Sequence, residues 1–192
     1  MIRIAIFASG SGSNAEKIGE YFAERTNAEV SLILTNNPQA GVIMRARKLH
    51  IPVVIFDKKT FYDTERILQL LQNEKIDFIV LAGFMMLIPD FLVKAYPERI
   101  VNIHPALLPK HGGKGMYGHF VHEAVVAAKE TQSGITIHFV NEHYDEGNII
   151  SQITCEVSET DLPDDVAKKV QVLEHEYYPK VIEEVITKIK TN

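Results

Sequence analysis

Short apolar runs rich in Ile and Val alternate with stretches of helical period along most of the chain. The runs at residues 2–8, 29–35, 53–56, 78–82 and 99–103 read as strands, and the stretches at 14–26, 42–49, 64–73 and 89–95 read as helices. Nearly continuous apolar runs need cover on both sides, so the pattern predicts an α/β protein: an open, mostly parallel twisted sheet with helices on both faces, Rossmann-like in layout. After a Gly-rich loop a helix is predicted at 120–129. Two further strands, at 134–140 and 149–157, face each other across a polar connection and form an antiparallel pair near the C-terminal half, followed by a long helix from about Pro163. No internal repeat, low-complexity segment or Pro/Ser-rich linker interrupts the series, so one domain over 1–192 is expected.

The length of 192 residues and the 46% hydrophobic content suit one domain that buries about 70% of its unfolded surface. The formal charge of -5, from 20 Lys+Arg against 25 Asp+Glu, is mild and spread along the chain. It recommends neither a nucleic-acid backbone nor an anionic membrane as partner, and leaves a small molecule as the expected ligand. The one cysteine, Cys155, rules out an internal disulfide framework and a cysteine-rich metal site, which fits a reducing compartment. The apolar amino terminus is too short to span a bilayer and lacks a signal-peptide cleavage pattern, so a soluble, cytoplasmic protein is expected.

Three stretches carry candidate chemistry. In the first, Asn102-Ile103-His104-Pro105, residues i and i+2 of a strand project to one side, so Asn102 and His104 present an amide and an imidazole to one point. Pro105 cannot continue a central strand, which puts the pair at a strand's carboxyl end, where open α/β sheets keep their ligand crevices. The bland alternative is a satisfied turn histidine. The second stretch, Ala8-Ser9-Gly10-Ser11-Gly12-Ser13-Asn14, joins the first strand to the first helix. Gly10 and Gly12 permit a tight turn and close approach, while Ser13 and Asn14 can cap the helix and leave N–H groups facing an anion. It reads as a phosphate-binding loop or a plain turn. The match to the dinucleotide fingerprint is only the looser GxGxxA form, and the second strand ends without a ribose-binding acid, so a dinucleotide is not favoured. In the third, the polar loop around Asp145-Glu146-Gly147, Asp145 can orient a histidine and favour its protonated form; alternatively the loop is only a hairpin turn.

Together Asn102, His104 and Asp145 suit acyl transfer to an amine without a covalent nucleophile. The tetrahedral oxyanion needs preorganised donors, one of which typically contributes ~2.7–4 kcal/mol, and a carboxylate–imidazole pair can move the protons.

On these motifs the chain resembles the glycinamide ribonucleotide transformylase (phosphoribosylglycinamide formyltransferase) family of folate-dependent enzymes. The resemblance runs from Met1 to about Pro179 and includes Ala8 to Asn14, Leu81-Ala82-Gly83-Phe84-Met85, Asn102 to Pro109, Gly134-Ile135-Thr136-Ile137-His138-Phe139-Val140 and Asp145-Glu146-Gly147. It implies a formyltransferase fold that moves a formyl group from 10-formyltetrahydrofolate, a co-substrate, to the amine of glycinamide ribonucleotide in purine biosynthesis, with no metal. It implies a catalytic trio of Asn102, His104 and Asp145, with the amide and imidazole on the oxyanion and Asp145 keeping His104 charged and relaying protons through water. Gly10, Gly12, Ser13 and Asn14 would take the nucleotide phosphate, and Glu174 the glycinamide amine, although by pattern alone Glu174 is an exposed helix charge. The folate would lie along Phe84, Met85, Met86 and Leu87 and against Val140 and Asn141; Met85, Met86 and Leu87 read equally as core. The N-terminal half would bind the nucleotide and the C-terminal half complete the folate site, in a monomer or homodimer.

The chain departs from the family pattern in places. Met86 stands where relatives often carry Arg, which bears on a polar contact to the folate, and Asp145-Glu146-Gly147 stands where they often read Asp-Gly-Gly. The segment 110–118, with four glycines, reads as a loop that closes over the nucleotide or as a floppy connection. Rival readings are formyltetrahydrofolate hydrolase and formyl transfer to another amine such as an amino sugar, both of which usually bring an extra domain. A formyltransferase for initiator tRNA would want a basic surface. His119 and His122 hint at a metal hydrolase, but no His-Glu-x-x-His set appears. A non-catalytic nucleotide-binding module is the remaining option.

Overall fold

The computed structural model describes residues 1–191 and contains one seven-stranded sheet. Its strands, in chain order, are β1 (Ile2–Phe7), β2 (Ala28–Thr35), β3 (Val53–Ile55), β4 (Phe78–Leu81), β5 (Ile100–His104), β6 (Gln132–Phe139) and β7 (Ile149–Glu156). Across the sheet they run β3-β2-β1-β4-β5-β6-β7. The first five pair in parallel, and β6 lies antiparallel to both β5 and β7. The sheet therefore has the predicted mostly parallel character, and the antiparallel region begins one strand earlier than the β6–β7 pair alone.

Alternation along each strand feeds two separate cores. Ile4, Ile6, Ile33, Phe78, Val80, Val101 and Ile103 point into one, which is completed by α1 (Ser13–Ala23), α2 (Val42–Lys48), α6 (His119–Ala127) and α7 (Pro163–Thr191). Ala5, Phe7, Leu32, Leu34, Ile79, Leu81 and Ile100 point into the other, covered by α3 (Lys58–Asp63), α4 (Arg66–Asn73) and α5 (Asp90–Ala95). Both faces are dry, which is why the strands read as continuous apolar runs. In the second core Phe7, Phe56, Phe61 and Phe84 form an aromatic group with ring centroids 5.0 to 6.2 Å apart.

One helical stretch differs from the sequence reading for a local reason, and the long last helix begins where it was expected. The stretch at 64–73 contains only α4 from Arg66 on, and α3 precedes it unannounced. Asp57 caps α3 by accepting from the Thr60 amide at 2.6 Å, and the one apolar anchor of that helix is Phe61. The helix from Pro163 runs through Pro179, whose missing N–H is tolerated beside a fixed tertiary contact. That contact is Tyr178, fully buried, whose hydroxyl donates to the carbonyl of Leu81 at 2.9 Å and lies 3.3 Å from that of Val101. It thereby pins α7 across the seam of β4 and β5. Removing a buried partner of this kind costs about 1–3 kcal/mol. Tyr178→Phe is expected to lower unfolding free energy by that amount in urea titration, with the fold retained.

Candidate active site

The parallel strands β1, β4 and β5 end on one side of the sheet, and the loops that follow them enclose a cavity of about 450 Å³. Of the residues singled out in the sequence, Gly10, Gly12, Ser13, Asn14, Phe84, Met85, Met86, Leu87, Asn102, His104, Val140, Asp145 and Glu174 all line it. Asn141 does not; its side chain accepts from the His143 amide at 3.0 Å and shapes the turn that follows β6. Phe84 and Met86 also pack against the second core, so the core reading of that segment holds in part. Met85, by contrast, is exposed.

The first wall is the turn into α1. Gly12 caps the helix at φ 76 with no side-chain cap, and a Cβ there would lie 2.5 Å from Val42, so only glycine fits. The uncapped first turn leaves its amides toward the cavity, a ready anion site. Ser9 ties this turn to its neighbours: its hydroxyl donates to Asn36 at 2.6 Å and accepts the Met85 amide at 3.1 Å. The Asn14 amide donates to Glu174 of α7 at 2.9 Å, a bond that joins residues 160 apart. Burial pushes the Glu174 carboxyl above the usual range, and the Asn14 bond opposes it. The exposed helix charge expected from pattern alone is thus a half-buried, paired carboxyl, and the Oδ1 of Asn14 is buried without a protein partner among the described residues.

The second wall is chemical. Asn102 and His104 alternate with Val101 and Ile103, which face the first core, so the pair shares the opposite side of β5 and emerges at its carboxyl end. Asp145 approaches from the loop after β6, with Oδ2 3.4 Å from His104 Nδ1. Its backbone sits in the left-handed region at φ 56, which Asp tolerates better than most residues. Gly147 makes the loop possible, because a Cβ there would meet the Phe139 carbonyl at 1.7 Å. The other ring nitrogen of His104, Nε2, donates to the His111 carbonyl at 2.8 Å. Both nitrogens of His104 therefore face acceptors.

Burial is the larger influence on His104 and pulls its pKa below the ordinary histidine value, against the Asp145 carboxylate and the His111 carbonyl, which pull it up. The protonated imidazole anticipated from Asp145 alone is thus opposed by desolvation, and the resting ring favours the neutral form. For Asp145, burial works against the charge. The neighbouring rings of His138 and His104 and the Gly113 amide, which donates at 2.9 Å, outweigh it and hold the carboxyl below its usual range.

Two histidines of the site are not among the residues assigned to it from the sequence, although His138 lies in the 134–140 motif and His122 is weighed there as a metal ligand. His138 stands directly opposite Asn102 in the β5–β6 pairing. With its proton on Nδ1, donated to the Phe139 carbonyl at 2.8 Å, its Nε2 accepts from the Asn102 amide at 3.1 Å and lies 3.6 Å from Asp145. The signal that could have found it is the antiparallel pairing of β5 with β6, which periodicity alone does not reveal. His122 of α6 is buried in the cavity wall, and its Nδ1 has no protein partner among the described residues. Burial lowers its pKa to about 4, with His119 and His104 adding to the effect. Among the described residues no group of three or more His, Cys, Asp and Glu side chains could hold a metal ion, and no helix is long and apolar enough to cross a membrane.

A histidine held below its unfolded pKa stabilises the fold above that unfolded value. The contribution is lost as pH falls from 6.5 toward 4, and the full shift corresponds to about 3 kcal/mol. His122→Phe is therefore expected to flatten the acid limb of a stability-against-pH curve in that window. An unchanged limb would assign the acid sensitivity elsewhere.

The chain matches the family described as formyl transferase over residues 2–182. It is similar to the chloroplastic phosphoribosylglycinamide formyltransferase of Arabidopsis thaliana, 43% identical over 186 residues and 94% of this chain. The chain spans 64% of that relative's length. The Bacillus subtilis phosphoribosylglycinamide formyltransferase is 38% identical over 191 residues, covering 97% of this chain and 95% of that protein. Among solved structures, the phosphoribosylglycinamide formyltransferase of Bacillus halodurans superposes with a TM-score of 0.87 at 39% identity, covering 97% of this chain and 96% of the other.

Proposed function

The chain belongs to the formyl transferase family, and from that premise we propose that it transfers the formyl group of 10-formyltetrahydrofolate to the amine of glycinamide ribonucleotide in purine biosynthesis. The observation that carries the reading is the convergence of Asn102, His104 and Asp145 on one cavity that also holds an uncapped helix start and the apolar segment Phe84 to Leu87. We read 1–192 as one formyltransferase domain. The relatives matched along nearly the whole chain carry the name phosphoribosylglycinamide formyltransferase, which disfavours both the hydrolase and transfer to another amine.

In this reading the nucleotide phosphate rests on the first-turn amides of α1 at Gly12, Ser13 and Asn14, with Gly10 allowing close approach. Glu174 accepts from the glycinamide amine. The folate lies along Phe84, Met85, Met86 and Leu87 and against Val140, with Asn141 shaping the neighbouring turn. Met86 brings a thioether and no charge to that wall.

The amine attacks the formyl carbon, and the carbonyl pair moves onto oxygen as an oxyanion. One N–H of the Asn102 amide is engaged by His138, and the second is free to donate to that oxygen. His104, with acceptors at both nitrogens, suits the proton traffic with Asp145, and its charge adds to oxyanion stabilisation whenever it is protonated. The attacking nitrogen gives up one proton to this pair through water. The folate nitrogen that carried the formyl group receives one as the carbon–nitrogen bond breaks, leaving formylated nucleotide and tetrahydrofolate. The lone Cys155 supports a reducing, cytoplasmic setting, and the reaction takes small-molecule substrates in a monomer or homodimer.

The test is a spectroscopic assay of folate conversion with and without glycinamide ribonucleotide. Conversion only with the nucleotide supports the proposal, whereas conversion in its absence points to the hydrolase. Asp145→Asn is expected to lower kcat by roughly 10²–10⁴-fold, with nucleotide affinity nearly intact. Wild-type turnover in that variant would remove Asp145 from the mechanism.

A further inference from the structure

Outside the cavity, on the reverse side of the segment that follows β5, lies a compact ionic cluster with no role in the chemistry above. Glu130, in the turn between α6 and β6, accepts two bonds from Lys110 Nζ, at 3.1 and 3.0 Å, and lies 3.3 Å from His111 Nε2. Neither His111 nor Glu130 lines the substrate cavity; both line a smaller hollow behind it. Yet the backbone they hold reaches the reacting pair twice. The His111 carbonyl accepts from His104 Nε2 at 2.8 Å, and two residues on the Gly113 amide donates to Asp145 Oδ2 at 2.9 Å. His111 itself sits at φ 54, a left-handed conformation that a non-glycine residue adopts at a cost and keeps only when its surroundings hold it.

We propose that Glu130 is a positioning residue for the His104–Asp145 pair: by gripping Lys110 and His111 it fixes the peptide stretch 111–113 that orients both catalytic side chains. The clamp rests on the assignment of His104 and Asp145 to catalysis. It differs from an ordinary surface ion pair, which typically contributes little to stability, because its effect is read in the geometry of two groups it does not touch. The carbonyl at 2.8 Å fixes which nitrogen of His104 carries the donated proton and turns Nδ1 toward Asp145, while the Gly113 amide holds the carboxylate in place. Misplacement of a reacting group by about 1 Å can cost on the order of 10²-fold in rate. Loosening the clamp therefore acts mainly on kcat, because the walls at Gly12 to Asn14 and Phe84 to Leu87 do not hang from it, although Gly113 also lines the cavity.

The experiment compares wild type, Glu130→Ala and Glu130→Gln by steady-state kinetics and by 15N-edited NMR of the His104 imidazole. Glu130→Ala is expected to lower kcat about tenfold or more, with KM for both substrates within about twofold, and to displace the His104 Nε2 signal. Glu130→Gln, which keeps an acceptor oxygen for Lys110 and His111, recovers part of both. Lys110→Ala serves as a second, milder variant on the exposed arm of the cluster, with the same direction at smaller size. An unchanged kcat, an unchanged imidazole signal, or a loss confined to KM overturns the proposal. Because the NMR readout needs no turnover, a wild-type protein without formyl transfer would overturn the assigned reaction and still leave the clamp decided by the imidazole signal.

Discussion

Everything at the cavity hangs from β5, where the sheet changes from parallel to antiparallel pairing. As the last parallel strand, next to β4 and one strand removed from β1, it ends on the same side as both, and the loops after all three open there. As the first strand with an antiparallel neighbour it acquires β6 in a register that sets Asn102 opposite His138. Because β6 runs antiparallel, it passes back along β5 from Thr136 opposite His104 to Phe139 opposite Val101, and the loop that follows turns back to bring Asp145 to His104. Tyr178 guards this seam from the helix side, and its full burial pushes the hydroxyl well above its ordinary pKa, so it remains a donor.

The electrostatic design follows from that placement. The buried histidines His104, His122 and His138 and the carboxyls of Asp145 and Glu174 line a space where charge is poorly solvated. Asp145 keeps its charge, against burial, because the Gly113 amide donates to it and the rings of His138 and His104 lie beside it. Burial pulls His104 and His122 toward the neutral form. A site of this kind holds one stable negative charge and a neutral base beside it. That is a resting state able to take a proton when an amine reacts and return it when a nitrogen leaves.

The amino-acid sequence made much of this legible, and the gaps have physical causes. Strands buried on both faces announce themselves as apolar runs, so β1 through β5 were readable nearly to the residue. The i, i+2 spacing of Asn102 and His104 before Pro105 located the chemical end of β5 without tertiary information, because strand geometry is local. The places of His138 and His122 in the site were not legible by the same logic, since they depend on strand register and on how α6 docks, neither of which period reveals. Glu174 was misjudged from pattern, as a carboxyl on a mostly polar helix reads as solvated until its Asn14 partner is known. The three-phenylalanine neighbourhood that holds Phe84 likewise emerges only when Phe7, Phe56 and Phe61 meet.

The bond between Asn14 and Glu174 links the start of the first helix to the middle of the last. One wall of the cavity thus comes from the opening residues of the chain and another from α7, and the pocket exists only when that helix is seated. Seating of α7 and occupancy of the pocket are then two readings of one equilibrium. A molecule bridging both walls would lower the population of states in which α7 peels away, and would shelter this helix from proteases and amide exchange before it raised the stability of the sheet as a whole.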